Sequence, residues 1–377
     1  MPTGSPRPSA AAESLISDFA RQPDVTEGHR DQLRAIIGSS PVLARQLEAA
    51  AGHGDLRRIR PLPESSPAGA LYEPSSRTIH LRLSRLTPGT VEETTFVLGH
   101  EMQHALNRRD VQAADFEFFR QSDRAARRGQ DYTSVLSGVL SAHRRDEATA
   151  NLAGWNALAD SLEQRFGQAS PEMITARLPA RAMDFVRRSP DTGELVPRSG
   201  LVINSDSRID PSAENVAAMG RTYVDRPPRS AGLGHNGNSD YANYYGAWAI
   251  GVAAQIHVAH HPEPDGRPAM RVDLTRLRLS RDLMEQNGVD LGNRTEPVPL
   301  LDASTQPPDR QLLHHTATTH RHVPAVRNRA SGEHQPARLA RLGFTGRPQR
   351  AARHTTGAVP MPTQLGRAPT APSHGRT

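Results

Sequence analysis

The sequence contains no cysteine among its 377 residues, and only 4% of them are aromatic. The absence of cysteine excludes a disulfide scaffold, a thiolate zinc finger and a cysteine nucleophile. With 31 prolines and 29 glycines, the chain also has little core-forming material for its length, so we expect part of it to be disordered. Any chemistry must come from histidines, carboxylates, hydroxyl groups or arginines.

Lysine is absent as well, so all 46 positively charged residues are arginines. This excludes a Schiff-base lysine and the lysine of a P-loop. Two explanations stay open: a genome rich in G and C, which disfavours lysine codons, and escape from ubiquitin attachment in a eukaryotic host cell, because lysine is the acceptor.

The net charge of +6 is concentrated at the end of the chain. Residues 303–377 contain 11 arginines, two acids and seven of the 17 histidines, which leaves residues 1–302 with a net charge of −3. We expect this basic segment, rich in Pro, Arg and His, to be a disordered tail. Few aromatic residues lie between its arginines, which argues against nucleic-acid binding. Contact with a secretion machinery through the termini is another role for it.

Neither the start of the chain nor its longest uncharged segment predicts a membrane span or a classical export signal. Residues 1–26 lack the apolar core of a secretory signal peptide, so we expect a disordered segment and no Sec export. Residues 241–259 carry no charge but include Asn243, Gln255 and His257. A buried helix fits this composition better than a membrane span.

Hydrophobic periodicity and turn residues predict a mostly helical α+β fold with a small β-hairpin or sheet before the main helix. The predicted helices are two within 27–52, one from a capping box at Thr90–Glu93 to about Leu106, and others near 111–128, 132–166, 171–186 and 239–260. The predicted strands are a hairpin formed by 70–72 and 78–83, and a segment at 270–279.

The helix that follows the hairpin carries an HExxH motif, formed by His100, Glu101 and His104. Histidines four residues apart project from one face of a helix, so both imidazoles can bind one Zn²⁺ at about 2.0–2.1 Å. The adjacent Glu101 can accept a proton from a water molecule that attacks a carbonyl group. Apolar residues before His100 distinguish this pattern from a pair of solvated histidines.

A catalytic zinc needs a third protein ligand, and Glu147, which lies 43 residues after His104, is the preferred candidate. It lies among small alanines on a predicted helix, which lets that helix approach the first one closely. Asn151 is one turn further on the same face and can accept the free ring N–H of a bound histidine. The alternatives are His143, Asp146, Asp110 and Asp115.

From these motifs, residues 70–166 resemble the gluzincin group of zinc metallopeptidases, in which a second helix supplies a glutamate ligand. The resemblance implies a zincin-like metallopeptidase domain at 27–188, with His100, His104 and Glu147 as ligands and Glu101 as the base. It also implies that residues 200–300 complete the active-site cleft. Two departures are Asn151, where an acidic residue is usual, and the long spacing between the motifs.

Peptide hydrolysis also needs a hydrogen-bond donor to the oxyanion, which enzymes of this kind take from a Tyr or His of a later segment. A glycine-rich loop that contains His235 leads into a helix with Tyr241, Tyr244 and Tyr245. We expect Tyr241 to be the donor, ahead of the other two tyrosines and His235. Further along, three histidines at 257, 260 and 261 fit a helix C-terminus better than a second metal site.

The resulting expectation is a zinc peptidase, loosely similar to bacterial effectors or toxins that leave the producer cytoplasm by a non-Sec route and cleave a protein in a target cell. One alternative is a zinc hydrolase of peptidoglycan stem peptides, which would use the same site residues. The other is a non-enzymatic protein whose basic tail binds nucleic acid, without zinc and with strong salt dependence.

Overall fold

The computed structural model describes residues 10–66, 68–234 and 236–315, which form a mostly helical α+β fold. The helices are α1 (Ala10–Ala20), α2 (Glu27–Gly38), α3 (Pro41–Gly52), α4 (Val91–Arg127), α5 (Thr133–Phe166), α6 (Pro171–Arg177), α7 (Pro179–Ala182), α8 (Ala213–Met219), α9 (Pro228–Ala231), α10 (Tyr241–His260), α11 (Leu274–Leu277) and α12 (Arg281–Asn287). The strands are β1 (Arg58–Leu62), β2 (Ala70–Glu73), β3 (Thr78–Arg82), β4 (Val186–Arg188), β5 (Leu195–Pro197), β6 (Met270–Val272), β7 (Val298–Asp302) and β8 (Asp309–Leu313).

Two long helices, α4 and α5, form the centre of the molecule. The predicted break between 106 and 111 is wrong, because α4 continues for 37 residues. Residues 106–111 contain no proline or glycine, so the backbone has no reason to leave the helix there. At 1.5 Å per residue, α4 is about 55 Å long.

The two long helices touch backbone to backbone at two glycines. A Cβ atom at Gly154 would lie 2.8 Å from the carbonyl oxygen of Phe96, and one at Gly99 would lie 2.8 Å from the Cβ of Ala157. Only glycine fits at such an approach, since real Cβ atoms do not come this close to their neighbours. The contact places the HExxH segment of α4 directly against the middle of α5.

A three-stranded sheet in the order β1-β3-β2 lies beside α4. The predicted hairpin is confirmed as the antiparallel pair β2 and β3, whereas the parallel strand β1 was not predicted. Strand β2 is therefore an edge strand, and it packs next to α4. The predicted strand at 270–279 is wrong beyond Val272, because residues 274–277 form a helix.

The predicted disordered ends need two corrections. Residues 10–20 form α1, which buries Leu15, Ile16 and Phe19 against the first sheet and α2–α3. The alanines of α1 favour a helix, and burial of these side chains stabilises a segment of 11 residues that would be marginal alone. At the other end, β8 pairs with β7 and buries Leu313, so the boundary at 303 is wrong. The rest of the predicted basic tail, 316–377, and residues 1–9 lie outside the described residues.

The predicted capping box at the start of α4 does not form. Thr90 donates its hydroxyl to the carbonyl of Arg85 and makes no side-chain cap for α4. The acidic residues of the first turn form ion pairs instead: Glu92 binds Arg165 of α5 at 3.0 Å, and Glu93 binds Arg181 of α7 at 2.8 Å. These pairs attach the start of α4 to the helices that pack around it.

Helix α10 packs against both α4 and α5, and its side chains belong to the same two cores as theirs. The predicted buried helix at this position is therefore confirmed. Among the residues that the structure describes, none of the helices has the length and apolarity needed to cross a membrane.

Candidate metal centre

His100, His104 and Glu147 converge where α4 crosses α5. The Nε2 atoms of His100 and His104 are 3.0 Å apart. The Glu147 carboxylate oxygens lie 3.9 Å from Nε2 of His100 and 4.0 Å from Nε2 of His104. Within the described part of the chain this is the group of histidine and acidic residues whose ligand atoms could hold one metal ion. The three residues preferred from the sequence are thus brought together.

The spacing of these atoms is near that around a small tetrahedral ion, whose ligands, at about 2.0–2.1 Å from the ion, lie about 3.4 Å from each other. The two histidine nitrogens are 3.0 Å apart, and each lies 3.9–4.0 Å from a different oxygen of Glu147, so modest side-chain shifts would bring both nitrogens and one oxygen to that spacing. The side chain of Glu147 is completely buried, while those of both histidines keep 11% of their surface exposed. Glu147 would therefore bind an ion from the interior of the protein, and solvent or substrate would reach the ion past the partly exposed histidines. One of the Glu147 oxygens, Oε2, is buried without a hydrogen-bond partner, as a free ligand atom would be.

Asp146 fixes the orientation of His104. Its Oδ2 atom lies 2.9 Å from Nδ1 of His104, and its Oδ1 accepts a hydrogen bond from Asn107. Burial opposes ionisation of Asp146, but the charge and hydrogen bond of His104 keep its pKa below the usual value. An ionised carboxylate only accepts, so Nδ1 of His104 carries the hydrogen and Nε2 faces the other ligands. Asp146, considered from the sequence as a rival ligand, thus supports a ligand instead.

Asn151, expected from the sequence to support a bound histidine, leaves its side-chain oxygen unpaired in the structure. Oδ1 of Asn151 and Nδ1 of His100 are both buried without a hydrogen-bond partner. The amide nitrogen of Asn151 lies 3.4 Å from the sulfur of Met219. A small rotation would let Nδ1–H of His100 donate to Oδ1 of Asn151, leaving Nε2 for an ion.

The charges around His104 favour its protonated form. Burial opposes the charged form of His104, but Asp146, Glu147 and Glu101 together raise its pKa to about 10. Burial and the neighbouring His104 hold the pKa of His100 well below its usual value. His104 therefore donates its Nε2 hydrogen to the neutral His100. Burial also raises the pKa of Glu147 to about 7.

Glu101, the predicted base, lies between α4 and the edge strand β2. Its Oε2 atom accepts a hydrogen bond of 2.7 Å from the backbone N–H of Tyr72. The hydroxyl of Tyr72 in turn donates to the carbonyl of Asp55, whose carboxylate binds Arg108 of α4. Burial raises the pKa of Glu101, which makes it a stronger proton acceptor. The role of the Tyr72 amide was not predicted, since a backbone contact leaves no mark in the sequence.

Tyr245 of α10 contacts the candidate ligand Glu147. Its hydroxyl donates to Oε1 of Glu147 at 2.9 Å, and its ring stacks on that of His143 at 4.5 Å. Tyr241 is fully buried and donates to the hydroxyl of Tyr223 at 2.7 Å, so the expected preference for Tyr241 is not supported. The sequence also offered His143 as an alternative third ligand. In the structure His143 pairs with Asp115 at 3.1 Å and not with the group of His100, His104 and Glu147.

The remaining predicted residues stay away from this site. His235 lies outside the described residues. Asp110 belongs to none of the ligand contacts described above. Comparison with protein-family models, with characterised proteins and with solved structures gives no match for this chain. The functional assignment therefore depends on the site itself.

Proposed function

We propose that the protein is a zinc-dependent peptidase of gluzincin-like design, with a zincin-like core formed by α4, α5 and the first sheet. The observation that carries the proposal is the convergence of two histidines and a glutamate, together with the carboxylate behind His104 and the glutamate adjacent to His100. Two nitrogen ligands and one oxygen ligand favour zinc over the harder Mg²⁺ and Ca²⁺.

A bound zinc ion would polarise the carbonyl group of a substrate and lower the pKa of a water molecule at the site. Glu101 then accepts the proton of the attacking water. Its orientation is fixed by the N–H of Tyr72, which holds one carboxylate oxygen, and burial raises its affinity for the proton. Because Glu101 follows His100 directly in α4, base and ligand move as one rigid unit.

Tyr245 is the donor that we propose for the oxyanion. In the structure its one hydroxyl hydrogen donates to Oε1 of Glu147, and during the reaction that hydrogen would turn from Glu147 to the oxyanion, while stacking on His143 fixes the ring. Burial raises the pKa of Tyr245 well above its usual value, so the phenol keeps its proton and can donate it in a hydrogen bond. Such a donor typically contributes about 10²–10³ to the rate.

The substrate we propose is a protein of a target cell, which the enzyme reaches after export by a non-Sec route. The absence of lysine supports this setting, because a protein without acceptor lysines escapes ubiquitin attachment. Replacement of exposed arginines by lysine keeps the charge and adds acceptors. In a eukaryotic cell extract such a variant should be degraded faster than the wild type; equal lifetimes would contradict this part of the proposal.

The test of the activity is hydrolysis of a peptide library by the zinc-loaded protein and by its Glu101→Gln variant. We expect cleavage by the wild type, and a loss of about 10²–10⁴ in rate for the variant, since an amide accepts no proton from water. Zinc content should be equal in both. Cleavage at the wild-type rate by Glu101→Gln would exclude Glu101 as the base, and zinc-loaded wild type that cleaves nothing would contradict the peptidase proposal.

A further inference from the structure

A cleft of about 310 Å³ is lined by three arginines and by Tyr245, whose hydroxyl bonds to the candidate ligand Glu147. This volume is at the lower end of the range for ligand pockets. Its walls come from α5, α10 and the residues around α11, together with the end of the π-helical turn Gly220–Val224. We call it the arginine cleft, after Arg144, Arg276 and Arg278.

The arginine cleft adjoins the candidate metal centre through two shared elements. Tyr245 forms part of its wall, and the hydroxyl of the same residue donates to Glu147. Arg144 lies three residues before Glu147 on α5, which is about 4.5 Å along the helix axis. A substrate bound at the metal centre could therefore place a neighbouring side chain in the cleft.

The charge of the cleft is opposite to that of the surrounding molecule. Three arginines and a single acid, Asp225, give it a net charge of +2, whereas residues 1–302 carry −3. Asp225 binds Arg144 through both oxygens, at 3.0 and 2.9 Å, and also binds Arg278 at 3.0 Å. One carboxylate therefore holds two guanidinium groups and cannot neutralise the third.

Arg276 is the group left without a partner. Its side chain is exposed at the edge of the cleft and makes no ion pair or hydrogen bond with the residues that the structure describes. A guanidinium group binds a carboxylate through two parallel hydrogen bonds, which makes a free arginine beside a cleft suited to an anionic group.

The backbone has an unusual feature on each side of the cleft. The guanidinium of Arg144 lies so close to Gly220 that a Cβ atom there would collide with it. Arg278 has a left-handed backbone, with φ of 56°, an uncommon conformation for a residue other than glycine. Aliphatic residues form the inner surface between the arginines, among them Leu140, Val224 and Leu277.

We propose that the arginine cleft binds an acidic side chain of the peptide substrate, so that the enzyme prefers substrates with Glu or Asp near the cleaved bond. The aliphatic surface contacts the methylene groups of that side chain, and Arg276 and Arg278 bind its carboxylate. This inference rests on the proposed peptidase function, because it assigns the cleft to the substrate of that site. A chain-terminal carboxylate offers the same chemistry and is separated from the side chain by the test below.

The experiment measures equilibrium binding of fluorescent peptides to the zinc-loaded Glu101→Gln variant, which is expected not to cleave them. The peptides carry amidated C-termini and differ by Glu or Gln at one scanned position; a second set has free C-termini and no acidic side chain. At one position we expect Glu to bind about tenfold more tightly than Gln, the effect of one charge-assisted contact. Arg276→Glu should remove that preference.

Arg187→Glu is the matched control, since Arg187 is exposed on β4 and does not line the cleft. It should keep the preference for Glu. Equal binding of the Glu and Gln peptides at every position, no binding of any peptide, or an unchanged preference in Arg276→Glu would overturn the proposal. Tighter binding only of peptides with free C-termini would also overturn it, in favour of a terminal carboxylate.

The same data separate this inference from the proposed function. If the wild type hydrolyses peptides without any preference for acidic residues, only the cleft assignment fails. If the Glu101→Gln variant binds acidic peptides through Arg276 while the zinc-loaded wild type hydrolyses none, the peptidase proposal fails and the cleft still binds an acidic ligand.

Discussion

The molecule contains two groups of histidines on buried helices, and the groups differ in the hydrogen-bond partners of their ring nitrogens. At the end of α10, each histidine has its own partner: His257 bonds to Tyr132 and the carbonyl of Pro268, His260 to Asp123, and His261 to the carbonyl of Ala126. In the group on α4, the two Nε2 atoms face each other and an acid instead.

The difference shows how a ligand group is recognised in a buried setting. Buried polar groups almost always have hydrogen-bond partners, so those without one call for an explanation. Three such atoms surround the α4 group, at His100, Glu147 and Asn151, whereas none is found at His257, His260 or His261. The α4 group thus has buried atoms that are free to bind a ligand. The histidines of the α10 group instead attach the C-terminal end of α10 to the residues around it. The sequence expectation that the α10 histidines are structural agrees with this geometry.

The largest difference between the two histidine groups is expected when the tyrosine hydroxyl beside each group is removed. Tyr245 lies beside the α4 group and Tyr132 beside the α10 group. Tyr245→Phe should lower the hydrolytic rate by about 10²–10³, since it removes the proposed oxyanion donor. The change also removes a buried hydrogen bond to Glu147, so the rate is compared per folded, zinc-loaded molecule. Tyr132→Phe, which removes the partner of His257, should lower stability and keep the rate per folded molecule. Tyr241→Phe should also keep the rate; a loss confined to Tyr241→Phe would instead restore the tyrosine expected from the sequence.

The carboxylates behind the histidines offer a second test. Asp146→Asn should weaken zinc binding by about 10–100-fold, because an amide holds His104 less firmly in the required tautomer. The matched change, Asp123→Asn, affects the carboxylate that His260 shares with Arg127 and should leave zinc affinity unchanged. Titration with a competing zinc indicator measures both. Equal affinities for Asp146→Asn and the wild type would remove Asp146 from the site.

Zinc affinity should depend on pH with a definite sign. With a pKa of about 10, His104 is protonated in the ion-free protein near neutral pH, and that proton must leave before Nε2 can bind an ion. Affinity should therefore rise with pH, by about tenfold per unit for each proton released. Calorimetry in buffers of different ionisation enthalpy counts these protons. Affinity that falls or stays constant between pH 6 and 8 would contradict the assigned protonation.

The smallest expected effect concerns the contact between α4 and α5. Gly154→Ala places a methyl group against the Phe96 carbonyl and should lower the free energy of unfolding by about 1–3 kcal/mol, with weaker zinc binding as the helices separate. Gly138→Ala, on the same helix with open space around it, should raise stability by about 0.5–1 kcal/mol. Urea unfolding compares the two. Similar behaviour of both variants would show that the glycine contact is not needed.

The sequence predicts those parts of the site that depend on residues close together in the chain, and not those that depend on how two helices pack. The spacing of His100 and His104 fixes one face of a helix, so their convergence is readable from five residues. Glu147 could be chosen as a ligand from its alanine-rich setting. That Asp146 would orient His104 could not be predicted. Neighbouring residues on a helix point about 100° apart, and the crossing of α4 and α5 decides which one meets His104.

Two failures have a different origin. Helix α10 is apolar on nearly every side, so its sequence does not tell which tyrosine faces α5, and Tyr241 was preferred where Tyr245 makes the contact. Helix α1 was missed because the prolines and serines at the start of the chain outweighed its alanine-rich segment, and a helix of 11 residues needs the burial of its apolar residues by distant elements to be stable.

The central claim is that the α4 group, and not the α10 group, binds the metal. Elemental analysis of the purified protein after zinc loading and dialysis tests it directly, with His104→Ala and His260→Ala side by side. We expect about one zinc per chain in the wild type and in His260→Ala, and close to none in His104→Ala, because loss of one of three ligands removes most of the affinity. Full zinc content in His104→Ala, or loss of zinc in His260→Ala, would contradict the account.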